Sequence, residues 1–161
     1  MKFFEDIRVG ETSQIGSHTF TEDIKTFAER FDPQPFHHVD DAAAARSHFG
    51  RLCASGWHIA CIWMRLLIDR RRHEDDERRA RGEPVAQLGP SPGFRDLQWL
   101  KPVYAGDTIS YASEVMEKRL SQSRPRWGLI EVHNTGTNQK GERVMSFKSS
   151  AFVERRPDGT P

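Results

Sequence analysis

The longest apolar run in the chain covers residues 57–68 and predicts a helix that is buried on most of its sides. Only His58 and Arg65 interrupt it, whereas an amphipathic surface helix shows a polar residue at every third or fourth position. The length of the run favours a helix over a strand. We therefore expect the other elements to wrap around this helix, which should begin near Gly56.

Two shorter helices and a polar turn are predicted ahead of the central helix. Thr21 offers a capping oxygen to a helix that should end at Asp32, because a residue that precedes proline disfavours the α region. Pro33 and Pro35 are expected to hold the next residues extended. The consecutive alanines within residues 40–47 predict a second short helix.

Segments of alternating apolar and polar residues predict the strands of an antiparallel sheet. The predicted strands cover residues 14–20, 94–104, 108–120, 126–135 and 143–155, and residues 3–9 predict a further short edge strand or extended arm. Four long strands after one buried helix predict an α+β fold. The sheet must curl around the helix, because a flat sheet would leave much of the apolar circumference in contact with water.

Residues 69–84 are almost wholly charged, with nearly equal numbers of acidic and basic side chains. Mixed-charge segments of this kind are usually solvated, so we predict that the central helix continues into water and ends by Gly82 or Pro84. A phosphate-binding arginine patch is the alternative. At the other end of the chain, residues 156–161 are expected to form a frayed tail.

The bulk properties narrow the class of protein. The 161 residues predict a single domain, and a formal net charge of +1 gives no electrostatic case for nucleic acid or a membrane surface. The apolar run is shorter than the roughly 20 residues of a spanning helix, and no targeting segment is expected at the start. Cys53 and Cys61 are predicted to be small buried side chains in a reducing compartment, so we expect a cytoplasmic protein.

A carboxylate and an imidazole stand close in sequence to the predicted start of the central helix. Asp32 and His37 lie in the polar turn, and Gly56 lies where the helix should begin. A helix N-terminus carries free N–H groups and a positive partial charge, which can stabilise an oxyanion. These groups together are the parts of an acid/base site.

Other kinds of site are disfavoured. Ser55 lacks the flanking glycines of a nucleophile elbow, and no glycine-rich phosphate-binding motif is present. His58 is interpreted as a histidine in the core or in an interface whose ring nitrogens are hydrogen-bonded. The remaining candidate metal ligands lack the spacing typical of metal sites: His37, His38, Asp40, Asp41 and His48.

Several motifs in this chain resemble those of the MaoC-like dehydratases, a family that includes the (R)-specific enoyl-CoA hydratases. They are D-P-Q-P-F-H (residues 32–37), the alanine-rich stretch, A-S-G-W-H (54–58) and W-L-K-P-V-Y-A-G-D (99–107). The first motif is specific to this family, whereas the last indicates mainly the fold. The resemblance extends over roughly residues 3–153. It implies the hotdog fold, in which an antiparallel sheet wraps around a long central helix.

The resemblance also implies roles for particular residues. Asp32 and His37 match the catalytic acid and histidine, and Gly56 matches the glycine whose N–H polarises the thioester carbonyl. The family pattern usually places His-x-Asp after the motif proline, and here two histidines precede that aspartate. The Asp-to-His spacing favours His37 and the His-to-Asp spacing favours His38. We favour His37, because the geometry between two reacting groups constrains chemistry more than a helix cap does.

Two further residues are expected in or near the pocket. Ser55 stands where many hydratases of the family carry a histidine, and Trp57 is expected to form part of a core or pocket wall. Both are therefore candidates for positioning the substrate.

The function implied is that of an acyl-CoA hydratase/dehydratase, which interconverts trans-2-enoyl-CoA and (R)-3-hydroxyacyl-CoA without a metal or redox cofactor. The alternatives are a hotdog acyl-CoA thioesterase and a non-catalytic acyl-CoA-binding hotdog protein. The resemblance also implies a homodimer or a higher multiple of dimers.

Overall fold

A 25-residue helix is wrapped by a five-stranded antiparallel sheet in the computed structural model, which describes residues 1–157. The strands follow the order β1-β3-β4-β5-β2, so β1 and β2 form the two edges. The helices are α1 (Asp23–Phe31), α2 (Asp41–Ala44) and α3 (Gly56–Ala80), and the strands are β1 (Thr12–Thr19), β2 (Gly93–Trp99), β3 (Thr108–Leu120), β4 (Trp127–Asn138) and β5 (Arg143–Glu154). This is the α+β layout that the sequence predicted.

Register shifts in the strand ladders let the sheet curve around α3. Such irregularities bend a strand and increase its twist. One of them lies between Gln14 and Gly16 on β1, where Gly16 has a φ of 147°. A side chain on Gly16 would come within 3.4 Å of Leu66 on α3, so the glycine allows the edge strand to approach the helix closely.

The apolar core is divided into two clusters. The larger one packs Ile59 and Trp63 of α3 against residues of the sheet, and Tyr111 donates a hydrogen bond from its hydroxyl to the Ile59 carbonyl oxygen at 3.1 Å. The smaller one joins Phe4 and Ile7 to residues of β4 and β5. Only the first half of α3 therefore contributes to a buried core.

The predicted continuation of the central helix is confirmed, since α3 ends at Ala80, just before Gly82. Two i,i+4 pairs lie along its surface at 2.6 Å, between Arg65 and Asp69 and between Arg70 and Glu74. No helix within residues 1–157 combines the length and apolarity needed to cross a membrane.

Four local predictions are wrong or only partly correct. Residues 3–9, predicted as a short edge strand or an extended arm, hold a 3₁₀ turn (Phe4–Asp6), because Phe4 and Ile7 pack into the smaller cluster. Thr21 does not cap α1. Its N–H donates to Asp23 Oδ1 at 2.6 Å.

The second short helix is confined to Asp41–Ala44, with Asp40 Oδ1 accepting the Ala43 N–H at 2.9 Å. Ser47 Oγ bonds the Ala44 carbonyl oxygen at 2.7 Å and so competes with continuation of the helix. The predicted strand over 94–104 ends at Trp99, and Pro102 has no N–H to donate to a ladder.

The cysteines and the tail also differ from expectation. Cys53 is buried, and its burial raises the pKa of the thiol to about 11, but Cys61 is exposed on α3. Arg156 donates to both carboxylate oxygens of Asp6 at 2.8 Å, so the predicted fraying does not begin there. Residues 158–161 of the predicted tail lie outside the described residues.

His58 is buried as predicted, but one of its two ring nitrogens lacks a hydrogen-bond partner among residues 1–157. Its ring stacks on Phe27 with 4.5 Å between centroids, and its Nδ1 has no hydrogen-bond partner among residues 1–157. Its Nε2 lies 3.6 Å from Asp23 Oδ2, which also binds His18 Nε2 at 2.7 Å. Burial lowers the pKa of His58, which the charge of Asp23 opposes and that of His18 reinforces.

This lowered pKa predicts a loss of stability at acid pH. Below the ordinary histidine pKa of about 6.5, the unfolded chain binds a proton that folded His58 resists, so the free energy of unfolding should fall by up to about 1.4 kcal/mol per pH unit until the folded pKa is reached. Urea unfolding at about pH 8 and about pH 5.5 measures this effect. His58→Phe should reduce the difference, whereas the control His73→Gln, on the exposed face of α3, should leave it unchanged. An equal difference in wild type and His58→Phe would contradict the assignment.

Candidate active site

A single π-helical turn (Pro35–Val39) follows α1, where the two prolines had predicted an extended segment. The Asp40 N–H donates to the Pro35 carbonyl oxygen at 3.3 Å and closes the turn. Successive side chains of a helical turn point in different directions. The side chains of His37 and His38 therefore point in different directions.

Asp32 is held by hydrogen bonds to both of its carboxylate oxygens. Ser55 Oγ donates to Oδ2 and Gln34 Nε2 donates to Oδ1, each at 2.7 Å. Burial raises the pKa of Asp32, but these two hydrogen bonds and the charges of His38 and His37 outweigh it, so the net pKa lies below its ordinary value. The carboxyl group is therefore ionised at neutral pH.

The histidine that lies against Asp32 is His38. Its buried ring donates from Nδ1 to the Cys53 carbonyl oxygen at 2.7 Å, since a carbonyl can only accept. In the neutral ring, Nε2 then carries the lone pair, and it lies 3.5 Å from Asp32 Oδ2. Two acceptors at this distance form no hydrogen bond with each other, but a water beside them can donate one hydrogen to each.

His37, which the Asp-to-His spacing favoured, occupies a different place. Its Nδ1 is buried without a hydrogen-bond partner among residues 1–157, and its ring centroid lies 5.2 Å from that of Phe49. Its carbonyl oxygen accepts the Cys53 N–H at 3.0 Å. Within residues 1–157, no hydrogen bond or ion pair joins His37 to Asp32, although both line one cavity and the charge of His37 helps to lower the pKa of Asp32. The catalytic role of His37 stays a prediction.

Ser55 joins the turn to the start of α3. Its Oγ accepts the Trp57 N–H at 3.2 Å while donating to Asp32, and the residue is completely buried. The Gly56 N–H is among the first donors of the helix, which have no intrahelical acceptor and lie at its positive end. The predicted oxyanion position is thus next to the residue that anchors the carboxylate.

Position 56 accepts only glycine while the Trp99 side chain stays in its present place. A Cβ at this position would overlap the indole ring of Trp99, which lies across the helix N-terminus. Trp99 in turn contacts Trp57 edge to face, with 5.3 Å between ring centroids. Trp57 and Trp99 therefore form the wall of the site next to the Gly56 amide.

These groups surround one cavity of about 560 Å³. Its lining includes Asp32, His37, His38, Gly56, Trp57 and Trp99, with Ser55 buried beneath it. The structure thus brings together all the residues that the sequence had suggested for the site.

Sequence reasoning missed Gln34 and the carbonyl of Cys53. A glutamine two residues after an aspartate in a proline-rich turn is a weak signal, and a backbone acceptor leaves none. Within residues 1–157, no three His, Cys, Asp or Glu side chains are grouped to hold a metal ion. The absence of a metal from the reaction stays a prediction.

The chain belongs to the MaoC-like domain family, whose model matches residues 8–134. It is 36% identical to a MaoC-like dehydratase from Rhodospirillum rubrum, over 98% of this chain and 99% of that one, and the two structures superpose with a TM-score of 0.81. A conserved protein of Mycobacterium tuberculosis, described as a double hotdog fold, matches 99% of this chain and 46% of its own with a TM-score of 0.69 at 16% identity. The hotdog fold implied by the motifs is confirmed.

A mesaconyl-CoA hydratase from Cereibacter sphaeroides is 29% identical to this chain over 161 residues. The match covers 99% of this chain but 43% of the hydratase, so the chain spans less than half of that relative.

We expect Ser55→Ala to raise the pKa of Asp32, because it removes a hydrogen bond that favours the carboxylate. The same change removes the helix cap and should lower the free energy of unfolding by about 1 kcal/mol. Gln34→Ala is the matched variant, since it should raise the same pKa while leaving the cap intact. NMR titration of the Asp32 carboxyl carbon and urea unfolding measure the two effects. An unchanged Asp32 pKa in both variants would contradict this account.

Proposed function

We propose that the chain is an acyl-CoA hydratase/dehydratase that converts trans-2-enoyl-CoA to (R)-3-hydroxyacyl-CoA reversibly, without a metal or redox cofactor. The pair of acceptors formed by Asp32 Oδ2 and His38 Nε2, 3.5 Å apart in a cavity that also holds the N-terminus of α3, carries this proposal. The similarity to a mesaconyl-CoA hydratase supports the substrate class.

The paired acceptors suit the activation of water. A water that donates to both groups keeps its lone pairs free to attack the β-carbon of the enoyl group. His38 Nε2 takes one proton from the water as the C–O bond forms, and the electron pair of the C=C bond moves toward the thioester oxygen. Asp32 stays ionised and stabilises the imidazolium that results.

The start of α3 supplies the other half of the reaction. The Gly56 N–H and the positive end of the helix stabilise the enolate oxygen as charge develops on it. The proton held by His38 then passes to the α-carbon, the enolate reverts to the thioester carbonyl, and His38 returns to its neutral form. The net change is the addition of water across the double bond.

The proposal assigns the catalytic histidine to His38 and a wall position to His37. His38 has the Nδ1 hydrogen bond that sets its tautomer and the Nε2 that faces Asp32. His37 has neither contact. We also propose a cytoplasmic location and no nucleic-acid or membrane partner, as the charge balance of the chain favours.

The two histidines can be separated by substitution. His38→Gln and Asp32→Asn should lower kcat for enoyl-CoA hydration by about 10²–10⁴-fold, because each removes a group that handles the water proton. His37→Gln should stay within about tenfold of wild type. Loss of absorbance of the conjugated enoyl thioester, followed over a panel of acyl-chain lengths, measures the rates.

Three results would contradict the proposal. Equal losses in His37→Gln and His38→Gln would remove the distinction between them. Free CoA thiol released as fast as the enoyl absorbance is lost would indicate a thioesterase. Tight binding of enoyl-CoA with no turnover would indicate a non-catalytic acyl-CoA-binding protein.

We further propose that the chain forms a homodimer or a multiple of dimers through an apolar cleft beside the site. Trp57, Met64 and Phe94 are 51%, 48% and 60% exposed there, and β2 presents an open sheet edge next to them. The other lining residues are also apolar: Ala60, Cys61, Trp63, Leu97 and Phe147. Apolar patches of this kind mark interaction surfaces, and a second copy would cover it with a matching face.

Light scattering coupled to size exclusion tests the assembly. Wild type should elute with at least twice the mass of one chain, and Phe94→Glu should shift it toward the monomer, since it places a charge in the buried interface. Val9→Glu is the control, because Val9 is 58% exposed outside the cleft. A monomeric wild type, or the same response to both variants, would rule out this surface.

A further inference from the structure

A second cavity, of about 410 Å³, lies between the charged half of α3 and strands β1, β3 and β4. It shares no lining residue with the cavity that holds Asp32. Arg71, which lines it, is about 22 Å from Gly56 along the helix axis at 1.5 Å per residue. The two cavities are therefore separate sites at opposite ends of α3.

The cavity has an apolar floor. Ile15, Val115, Ile130 and Val132 of the sheet line it, together with Leu67 of α3. The helix becomes charged after Ile68, so it offers arginine side chains opposite this part of the sheet where apolar side chains would fill the space. These walls already pack in part against Ile7 and Met1, and an apolar ligand chain would add dispersion contacts in the space that remains.

The rim of the cavity carries an excess of cations, most of which are already paired with carboxylates. The pairs are Lys2 with Glu11, Arg70 with Glu74, and Arg78 and Arg81 with Glu83.

Arg71 is the exception on this rim. It is partly buried, and it pairs with no carboxylate among residues 1–157, because Glu74, the acid whose charge acts on it, is bound by Arg70 at 2.6 Å. Burial lowers the pKa of Arg71, as does the neighbouring charge of Arg70, with Glu74 opposing. A partly buried charge without a partner carries a desolvation cost, so an anion at this place would be favoured.

We propose that this cavity binds a single-chain fatty carboxylate, with its carboxylate on the Arg71 guanidinium and its hydrocarbon chain against Val115 and Val132. A guanidinium binds a carboxylate through two parallel hydrogen bonds, and the cavity volume is within the range of small-molecule sites. This site is independent of the proposed hydratase activity.

Calorimetric titration of the full chain with octanoate tests the proposal. We expect one octanoate per chain, and binding of 1-octanol at least about tenfold weaker, because the alcohol lacks the charge. Arg71→Gln should weaken octanoate binding by at least about tenfold. Arg72→Gln is the matched control, since Arg72 is the adjacent exposed arginine and should leave the affinity unchanged.

NMR locates the ligand. Octanoate should shift the methyl signals of Val115 and Val132 and leave those of Val103, which lines the other cavity, in place. Asp32→Asn should not change octanoate affinity, and Arg71→Gln should keep the wild-type rate of enoyl-CoA hydration. Absence of binding, equal affinity for octanol, equal affinities of the two arginine variants, or loss of binding in Asp32→Asn would each overturn the proposal.

Discussion

The hydrogen bond from Ser55 to Asp32 joins the two parts of the molecule on which the site depends. The same hydroxyl accepts the Trp57 N–H, so one buried oxygen caps α3 and fixes the position of the carboxylate relative to the first turn of the helix. The π turn is tied down in turn by the backbone of Cys53, which bonds both histidines. Asp32, His38 and the first N–H groups of α3 are thereby held in place relative to one another by hydrogen bonds.

The change from apolar to charged residues along α3 accounts for the packed core at its first half and for the cavity at its second half. Its first half is apolar and fills the larger core, while its second half is charged and stands against an apolar part of the sheet without filling the space. A helix that was apolar throughout would have closed the second cavity. A helix that was wholly solvated would not have placed arginine side chains at the rim of the cavity. Because α3 is apolar in its first half and charged in its second, its first half is packed in the core and its second half borders a cavity.

Much of this fold could be predicted from the sequence, because the continuous apolar run of α3 and the alternating pattern of β5 are strong signals. The site was also predictable as a group of residues near Gly56. That His38, and not His37, would lie 3.5 Å from Asp32 was not predictable, because it depends on a π turn set by distant contacts with Cys53, and Pro33 and Pro35 argued for an extended segment. The prediction of a strand at Phe4 and Ile7 was also wrong, because apolar residues packed against a sheet can show the same sequence pattern as a strand.

The contact between Gly56 and Trp99 carries an evolutionary consequence. Because the indole occupies the volume that a Cβ would need, a side chain at position 56 requires Trp99 to move or to be replaced by a smaller residue. In a homologue with a side chain at the first position, the helix N-terminus would therefore be shielded differently from solvent. The width of the cavity beside the first turn of α3 is therefore determined by these two positions together.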